Sequence, residues 1–283
     1  MSEYAGRTAV ITGAGSGLGA AMAALFAGAG ANVALLDIDG ERAEAQAEAL
    51  RANGADAMAH RVDVADKASV ADAAEAVRER FGAAHVLCGN VGVQQFGAAD
   101  VLSDEDWQWV MSVNFHGVIH TVNAFLPLLR ASEGARHVVL TSSASYFQLG
   151  IRMGAYVASK FALTGYGEVL RQELEAEEIN VALLFPAGMA TRHIESSIAA
   201  RPADLGASRF DPADVSAMME HARIDRSAHV ASAEEAVHHL LDELRTGEPY
   251  IFTHGDYRHQ IAERQQAVLR AWDRMKAWPA GTD

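Results

Sequence analysis

The chain has one cysteine, six prolines and a deficit of positive charge. Cys88 alone cannot close an internal disulfide, and no CxxC pair offers thiolate ligands, so a disulfide scaffold and a zinc ribbon are both excluded. Lys and Arg number 23 against 37 Asp and Glu, a net charge of −14. That balance repels phosphate backbones and anionic lipid surfaces, so neither nucleic acid nor a membrane is an expected partner. The most apolar stretch, Ala20 to Leu36, is broken by Gly28, Gly30 and Asn32, and reads as a buried helix followed by a strand. No basic start followed by an apolar run precedes the first strand pattern, so no signal peptide is expected and the cytoplasm is the natural compartment. Twelve histidines are present, but no HxxxH pair with a nearby carboxylate falls among the motifs below, so no metal site is expected. His238 and His239 are adjacent and would face different ways on a helix.

What is present is a regular alternation. Short β-branched runs, Arg7–Thr12, Asn32–Asp37, Ala57–Val64, His85–Asn90, Arg136–Thr141, Asn180–Phe185 and Tyr250–Thr253, are separated by helical patterns. The helices read as the Ala-rich segment up to Gly30, Glu41–Asn53, Lys67–Phe81, a long one over Asp104–Arg130 with Ser103 as N-cap, Gly154 to Glu177, and Ala233–Leu244. Near-continuous apolar strands alternating with helices predict an α/β fold: a doubly wound, seven-stranded parallel sheet covered on both faces. Ligands in such folds bind beyond the carboxyl ends of the strands. Residues 1–257 are expected to form one domain, with the long connection 187–231 as a substrate lid and 258–283 as a helical tail. In the tail, Ile261, Val268, Trp272 and Met275 recur at helical spacing and should bury themselves on the body or on a neighbour.

Thr12–Gly19 reads TGAGSGLG between a strand and a helix, the setting of a phosphate-binding turn. Glycines admit a pyrophosphate close to the backbone, and the helix start supplies amide donors. Both Gly15-x-Gly17-x-x-Ala20 and Gly13-x-x-x-Gly17-x-Gly19 fit. Asp37 ends the second strand, where a carboxylate accepts hydrogen bonds from ribose hydroxyls and repels a 2′-phosphate, which favours NAD over NADP. Asp63 follows the third strand, within reach of an adenine amino group. Asn90 ends the fourth. Each of these two also suits a simple turn.

Tyr156 and Lys160 lie four apart, on one face of a helix. A free tyrosine is a poor base at neutral pH, and a neighbouring ammonium stabilises its phenolate. Such a phenol can exchange a proton with a carbinol or carbonyl oxygen. A YxxxK pair recurs by chance, but here Ser143 precedes it in TSSAS and Asn114 lies further upstream in VNFHG.

Gly13, Gly17, Gly19, Asp37, Asn90, Gly92, Asn114, Ser143, Tyr156 and Lys160, in this order, resemble the short-chain dehydrogenase/reductase family over roughly residues 5–255. The resemblance implies a Rossmann-like domain binding NAD, with Tyr156 as general acid/base. Lys160 would lower its pKa and hold the nicotinamide ribose, Ser143 would polarise the substrate oxygen, and Asn114 would hold a relay water. Cofactor contacts are implied at Gly13, Ser16, Gly17, Leu18, Gly19, Asp37, Asp63, Val64, Asn90, Val91, Tyr156, Lys160, Met189 and Thr191. It also implies a homodimer or homotetramer. Two departures stand out: Gly89-Asn90-Val91-Gly92 replaces the usual NNAG, and Pro186-Ala187 replaces Pro-Gly, which alters the backbone path there.

The function so implied is hydride transfer between NAD and a secondary alcohol or its ketone. Tyr146 to Met153, Val93 to Phe96, and Ile194, Ile198, Phe210, Met218 and Met219 suggest a roomy apolar pocket for a bulky or aromatic small-molecule substrate. The same residues could equally pack the lid on the body. The Pro186-Ala187 turn and Arg201-Pro202 are similar to Cα-dehydrogenases acting on lignin-derived aryl ethers. An inactive NAD-sensing protein, or an epimerase or dehydratase on this fold, are the alternatives.

Overall fold

The computed structural model describes residues 3–189, 192–206, 210–221 and 230–276. Seven strands form one sheet: β1 (Thr8–Thr12), β2 (Asn32–Asp37), β3 (Ala57–Arg61), β4 (Val86–Gly89), β5 (Arg136–Thr141), β6 (Ile179–Phe185) and β7 (Tyr250–Phe252). Their order is β3-β2-β1-β4-β5-β6-β7, and every pairing is parallel. This is the doubly wound, Rossmann-like α/β architecture expected from the alternation. The order reverses between β1 and β4, and a crevice opens outside their carboxyl ends.

Both faces of the sheet are covered. One carries α1 (Gly17–Gly28), α2 (Gly40–Ala52), α9 (Ala233–Val237) and α10 (Leu240–Thr246), and buries Met22, Phe26, Leu35 and Leu240. The other carries α3 (Lys67–Phe81), α4 (Asp104–Met111), α5 (Gly117–Ala131) and α6 (Gly154–Leu174), and buries Val110, Phe125, Leu129 and Leu163. Local chemistry sets the helix ends. Asp39 and Asp66 cap α2 and α3, Gly82 closes α3 in the left-handed region at φ 72°, and Ser103 and Asp106 form a capping box on α4. Cys88 lies buried in β4 with its thiol pushed up to about 12 by burial, an inert core residue.

Several expectations are corrected. The long helix is interrupted by a π turn at Ser112–His116, which contains Asn114. β3 ends at Arg61, not Val64, because Asp63 turns the chain by accepting from the Ala65 amide at 2.9 Å. The helix expected over 233–244 breaks at His238–His239, and there the two rings meet with centroids 3.4 Å apart instead of diverging. Tail helix α11 (Arg258–Lys276) half-buries Ile261 on its own chain and leaves the rest of the stripe uncovered there: Val268, Trp272 and Met275 are 65%, 54% and 53% exposed. It docks through Arg264, which lies over Tyr146 and Phe161 and donates to the Tyr146 carbonyl at 2.8 Å.

The connection after β6 is not a bare loop. It holds α7 (His193–Ala199) and α8 (Pro212–His221), and is pinned to α4 by a buried ion pair. Arg201 meets Asp106 at 2.7 Å, with side chains 6% and 3% exposed. Arg201 also donates to Gln95 Oε1 at 3.2 Å and sits 5.4 Å above the Trp109 ring. Replacing one member strands the other charge away from water. Arg201→Met should therefore lower unfolding free energy in urea by about 3 kcal/mol, and adding Asp106→Leu should restore much of that loss. Equal stability of Arg201→Met and the parent chain would contradict this assignment.

Candidate active site

One cavity of about 1350 Å³ runs along the carboxyl ends of the strands, from Asp37 and Ile38 at one end to Arg201 and Met218 at the other. Its first half is built from backbone. Gly13 and Gly17 adopt φ 69° and 53°, which side chains rarely tolerate. Gly19 packs against that turn so closely that a Cβ would lie 2.1 Å from the Gly13 carbonyl oxygen. Asp37 accepts from the Gly15 amide at 2.8 Å through one carboxylate oxygen and from the Asp39 amide at 2.9 Å through the other. The acidic end of β2 thus braces the glycine turn as well as facing the cavity.

The switch point is tied by hydrogen bonds among three strand ends. Thr12 Oγ1 donates to the Cys88 carbonyl at 3.2 Å and accepts from the Asn90 amide at 3.0 Å. Asn90 returns Nδ2 to the Thr12 carbonyl at 3.2 Å, and its Oδ1 accepts from Thr141 Oγ1 at 3.2 Å. Thr12 and Thr141 each open a quoted motif, TGAGSGLG and TSSAS, but the motifs do not show that their hydroxyls tie strand ends together.

Gly13, Ser16, Gly17, Leu18, Asp37 and, beyond them, Asp63, Val64, Asn90, Val91 and Met189 line the cavity. Gly19 supports the turn from behind. Thr191 lies outside the described residues. Ser143, Tyr156 and Lys160 line the same cavity, so the nucleotide-type half and the Tyr–Lys pair share one space.

Asn114 does not reach that space. It is fully buried, with Nδ2 donating to the Val93 carbonyl at 2.9 Å and to Ser159 Oγ at 3.0 Å, and Oδ1 accepting from the Val93 amide at 2.7 Å. Both of its N–H donors are used by protein, which leaves one Oδ1 lone pair for a water. Ser159 in turn donates to the Tyr156 carbonyl at 2.7 Å. The π turn therefore clamps the segment after β4 to the turn of α6 that carries the pair.

Lys160 is 2% exposed and donates to the Thr141 carbonyl at 2.7 Å. Burial pulls its ammonium down to about 7. Tyr156 differs from the sequence expectation: burial pushes the phenol up, and a hydrogen bond with Ser143 opposes that change. Lys160 Nζ stands 5.6 Å from the Tyr156 ring centroid. On the far side the imidazole of His193, whose pKa burial and then Lys160 lower to about 4, meets the Tyr156 ring edge-on at 5.9 Å.

Comparison with known proteins places the chain in a family. The model of the short chain dehydrogenase family matches residues 7–201. The chain is 31% identical over 273 residues to 1-deoxy-11-beta-hydroxypentalenate dehydrogenase of Streptomyces avermitilis, covering 96% of this chain and 93% of that one. It is 29% identical to C alpha-dehydrogenase of Sphingobium sp., covering 99% and 91%. A short chain dehydrogenase/reductase from Burkholderia phymatum, solved in complex with NAD, superposes with a TM-score of 0.87 at 32% identity, covering 96% and 97%. The chain belongs to the short-chain dehydrogenase/reductase family and is an oxidoreductase of that family. Among the described residues no helix is long and apolar enough to cross a membrane.

Lys160 offers a test of the site's electrostatics. The unfolded chain holds this proton up to the ordinary lysine value of 10.5, while the folded chain releases it near 7. Between those values the unfolded state binds more protons, so stability rises with pH from about 7 to 10.5. Lys160→Met apoprotein should be more stable than the parent chain at pH 6, by roughly 1–3 kcal/mol, since each tenfold change in proton affinity is worth ~1.4 kcal/mol. The gap should close toward pH 10 in thermal unfolding. A constant gap across that range would show that Lys160 titrates normally.

Proposed function

We propose that this protein is an NAD-dependent secondary-alcohol dehydrogenase or ketoreductase acting on a bulky apolar or aromatic substrate. The observation that carries the reading is the Ser143–Tyr156 hydrogen bond above a sealed Lys160, opening on a cavity continuous with Asp37. The glycine turn fits a pyrophosphate, because its backbone is held open by positive φ at Gly13 and Gly17 and no Cβ fills it. Asp37, Asp63 and Val64 would hold the adenosine end, while Asn90, Val91, Lys160, Met189 and Thr191 would hold the nicotinamide end. NAD supplies the hydride acceptor or donor when bound.

The remaining chemistry belongs to the chain. Ser143 positions the substrate oxygen beside the Tyr156 phenol. Tyr156 takes the carbinol proton during oxidation or gives it during reduction. Lys160 would hold a ribose hydroxyl of the bound cofactor and favour the phenolate, and Asn114 fixes the backbone beneath the site, with one lone pair left for a relay water. The described parts of the connection after β6, α7 and α8 among them, would cover the substrate side as a lid. Ile194, Met153 and Met218 supply apolar lining. The dehydrogenase names of the Streptomyces and Sphingobium relatives support the reaction type, and the NAD in the Burkholderia structure supports the cofactor.

Two measurements test this. Tyr156→Phe should lower turnover of an aryl ketone by roughly 10²–10⁴-fold while NADH fluorescence titration shows binding retained. Unchanged turnover would refute the role given to the phenol. An inactive sensor would bind NADH but turn over nothing even with Tyr156 intact. An epimerase or dehydratase would give product with no net change in NADH. Asp37→Asn keeps the side chain's size and removes its charge. The parent chain should bind NADH about tenfold or more tighter than NADPH, and the substitution should narrow that ratio; a native preference for NADPH would overturn the role given to the end of β2.

A further inference from the structure

The cavity beyond Tyr156 is not uniformly apolar. Gln94 and His193 both line it, and the Nε2 of each is buried with no hydrogen-bond partner among the described residues. Gln94 is 9% exposed. A buried donor left without a partner carries an unrecovered desolvation cost, and native structures retain few of them.

These two side chains are not a random pair. Ser197, 2% exposed on α7, donates to the His193 carbonyl at 2.7 Å and accepts from the Gln94 amide at 3.0 Å. One hydroxyl therefore ties the backbone of Gln94, after β4, to that of His193 at the start of α7, and both residues line the same space. His193 also packs edge-on against Tyr156, which places it next to the reacting group. Burial and the nearby Lys160 keep its imidazole neutral, with one nitrogen donor and one acceptor. The apolar residues of this half, Met153, Ile194 and Met218, have no use for such groups.

We propose that Gln94 and His193 form an oxygen-reading subsite, selecting apolar or aryl carbinols and ketones that carry a second, acceptor oxygen a few bonds from the reacting carbon. This rests on the hydride-transfer reading above. A site built around hydrogen-bonding groups rejects an analogue lacking the matching atom, because its own polar groups are then left unpaired. With Gln94 Nε2 donating, and His193 Nε2 donating in its Nε2–H tautomer, the pair would convert a roomy pocket into one that discriminates ether, hydroxyl or carbonyl from methylene.

The test is NADH-linked reduction of aryl alkyl ketones bearing one ether oxygen at the second, third or fourth position from the carbonyl, each beside its methylene isostere (2-methoxyacetophenone with butyrophenone, for example). At least one ether ketone should exceed its isostere by about tenfold in kcat/KM, equivalent to ~1.4 kcal/mol, chiefly through KM. Gln94→Met and His193→Phe should each lower kcat/KM for that ether ketone more than for its isostere, bringing the ratio toward one. Thermal midpoint and NADH affinity report folding. Turnover of ketones with ratios within twofold for every pair, or variants that depress both members equally, would overturn the subsite while leaving the hydride-transfer reading intact. No turnover of any ketone by the parent chain would overturn both.

Discussion

An ammonium group carried into the protein and left with a backbone carbonyl as its partner sets the terms for the rest of the site. Lys160 donates to Thr141 at the end of β5, and little water reaches it. Charge in such a place is costly, which is why burial draws its pKa down toward neutrality. Everything nearby accommodates that placement. Gly92 carries no Cβ, and one would stand 3.4 Å from Nζ. Thr141 is itself anchored through its hydroxyl to Asn90, and Asn90 to Thr12, so the carbonyl that receives the lysine is fixed by three strands at the point where the sheet reverses. Such a perturbed buried group beside a cavity is what marks Lys160 as a candidate functional residue.

The π turn at Ser112–His116 meets the same requirement from the opposite side. A regular helix would continue its i to i+4 ladder past Asn114. The wider turn places the amide against Val93 and Ser159, where it joins the segment after β4 to the turn of α6 bearing Tyr156. Such turns recur at functional positions because they redirect one side chain without ending the helix. Asn114 thus acts through the backbone it holds, at a remove from the cavity surface.

What could be read from residues alone follows the range of the forces involved. Alternating apolar runs give the parallel sheet, the Tyr156–Lys160 spacing gives a shared helix face, and Ser103 before three acidic residues gives an N-cap; each is a local pattern with a local cause. The π turn was not legible, since it changes a hydrogen-bond ring and leaves residue type unmarked. Nor was the direction in which the Tyr156 pKa moves, because desolvation depends on what segments distant in sequence cover. The stripe on α11 has helical periodicity, but periodicity states only that a face is apolar; the body is met through Arg264, over Tyr146 and Phe161. The roles of Thr12, Ser159 and Ser197 were equally hidden: a hydroxyl's worth lies in which two backbones it bridges.

The two halves of the cavity differ in how their polar groups are satisfied. Around the glycine turn and the switch point, Asp37, Thr12 and Asn90 hydrogen-bond one another's backbones, so that half is organised before anything enters. A ligand arriving there meets fixed geometry and costs little reorganisation. On the other side, the backbone is just as firmly held, by Ser197 and by the Arg201–Asp106 pair, yet two side-chain nitrogens are left over. Rigid backbone with unmet side-chain nitrogens favours an occupant chosen by chemistry over one chosen by shape. Where Met153 and Met218 line the pocket with side chains that adapt to many outlines, selectivity comes from the groups that cannot be satisfied by a methylene.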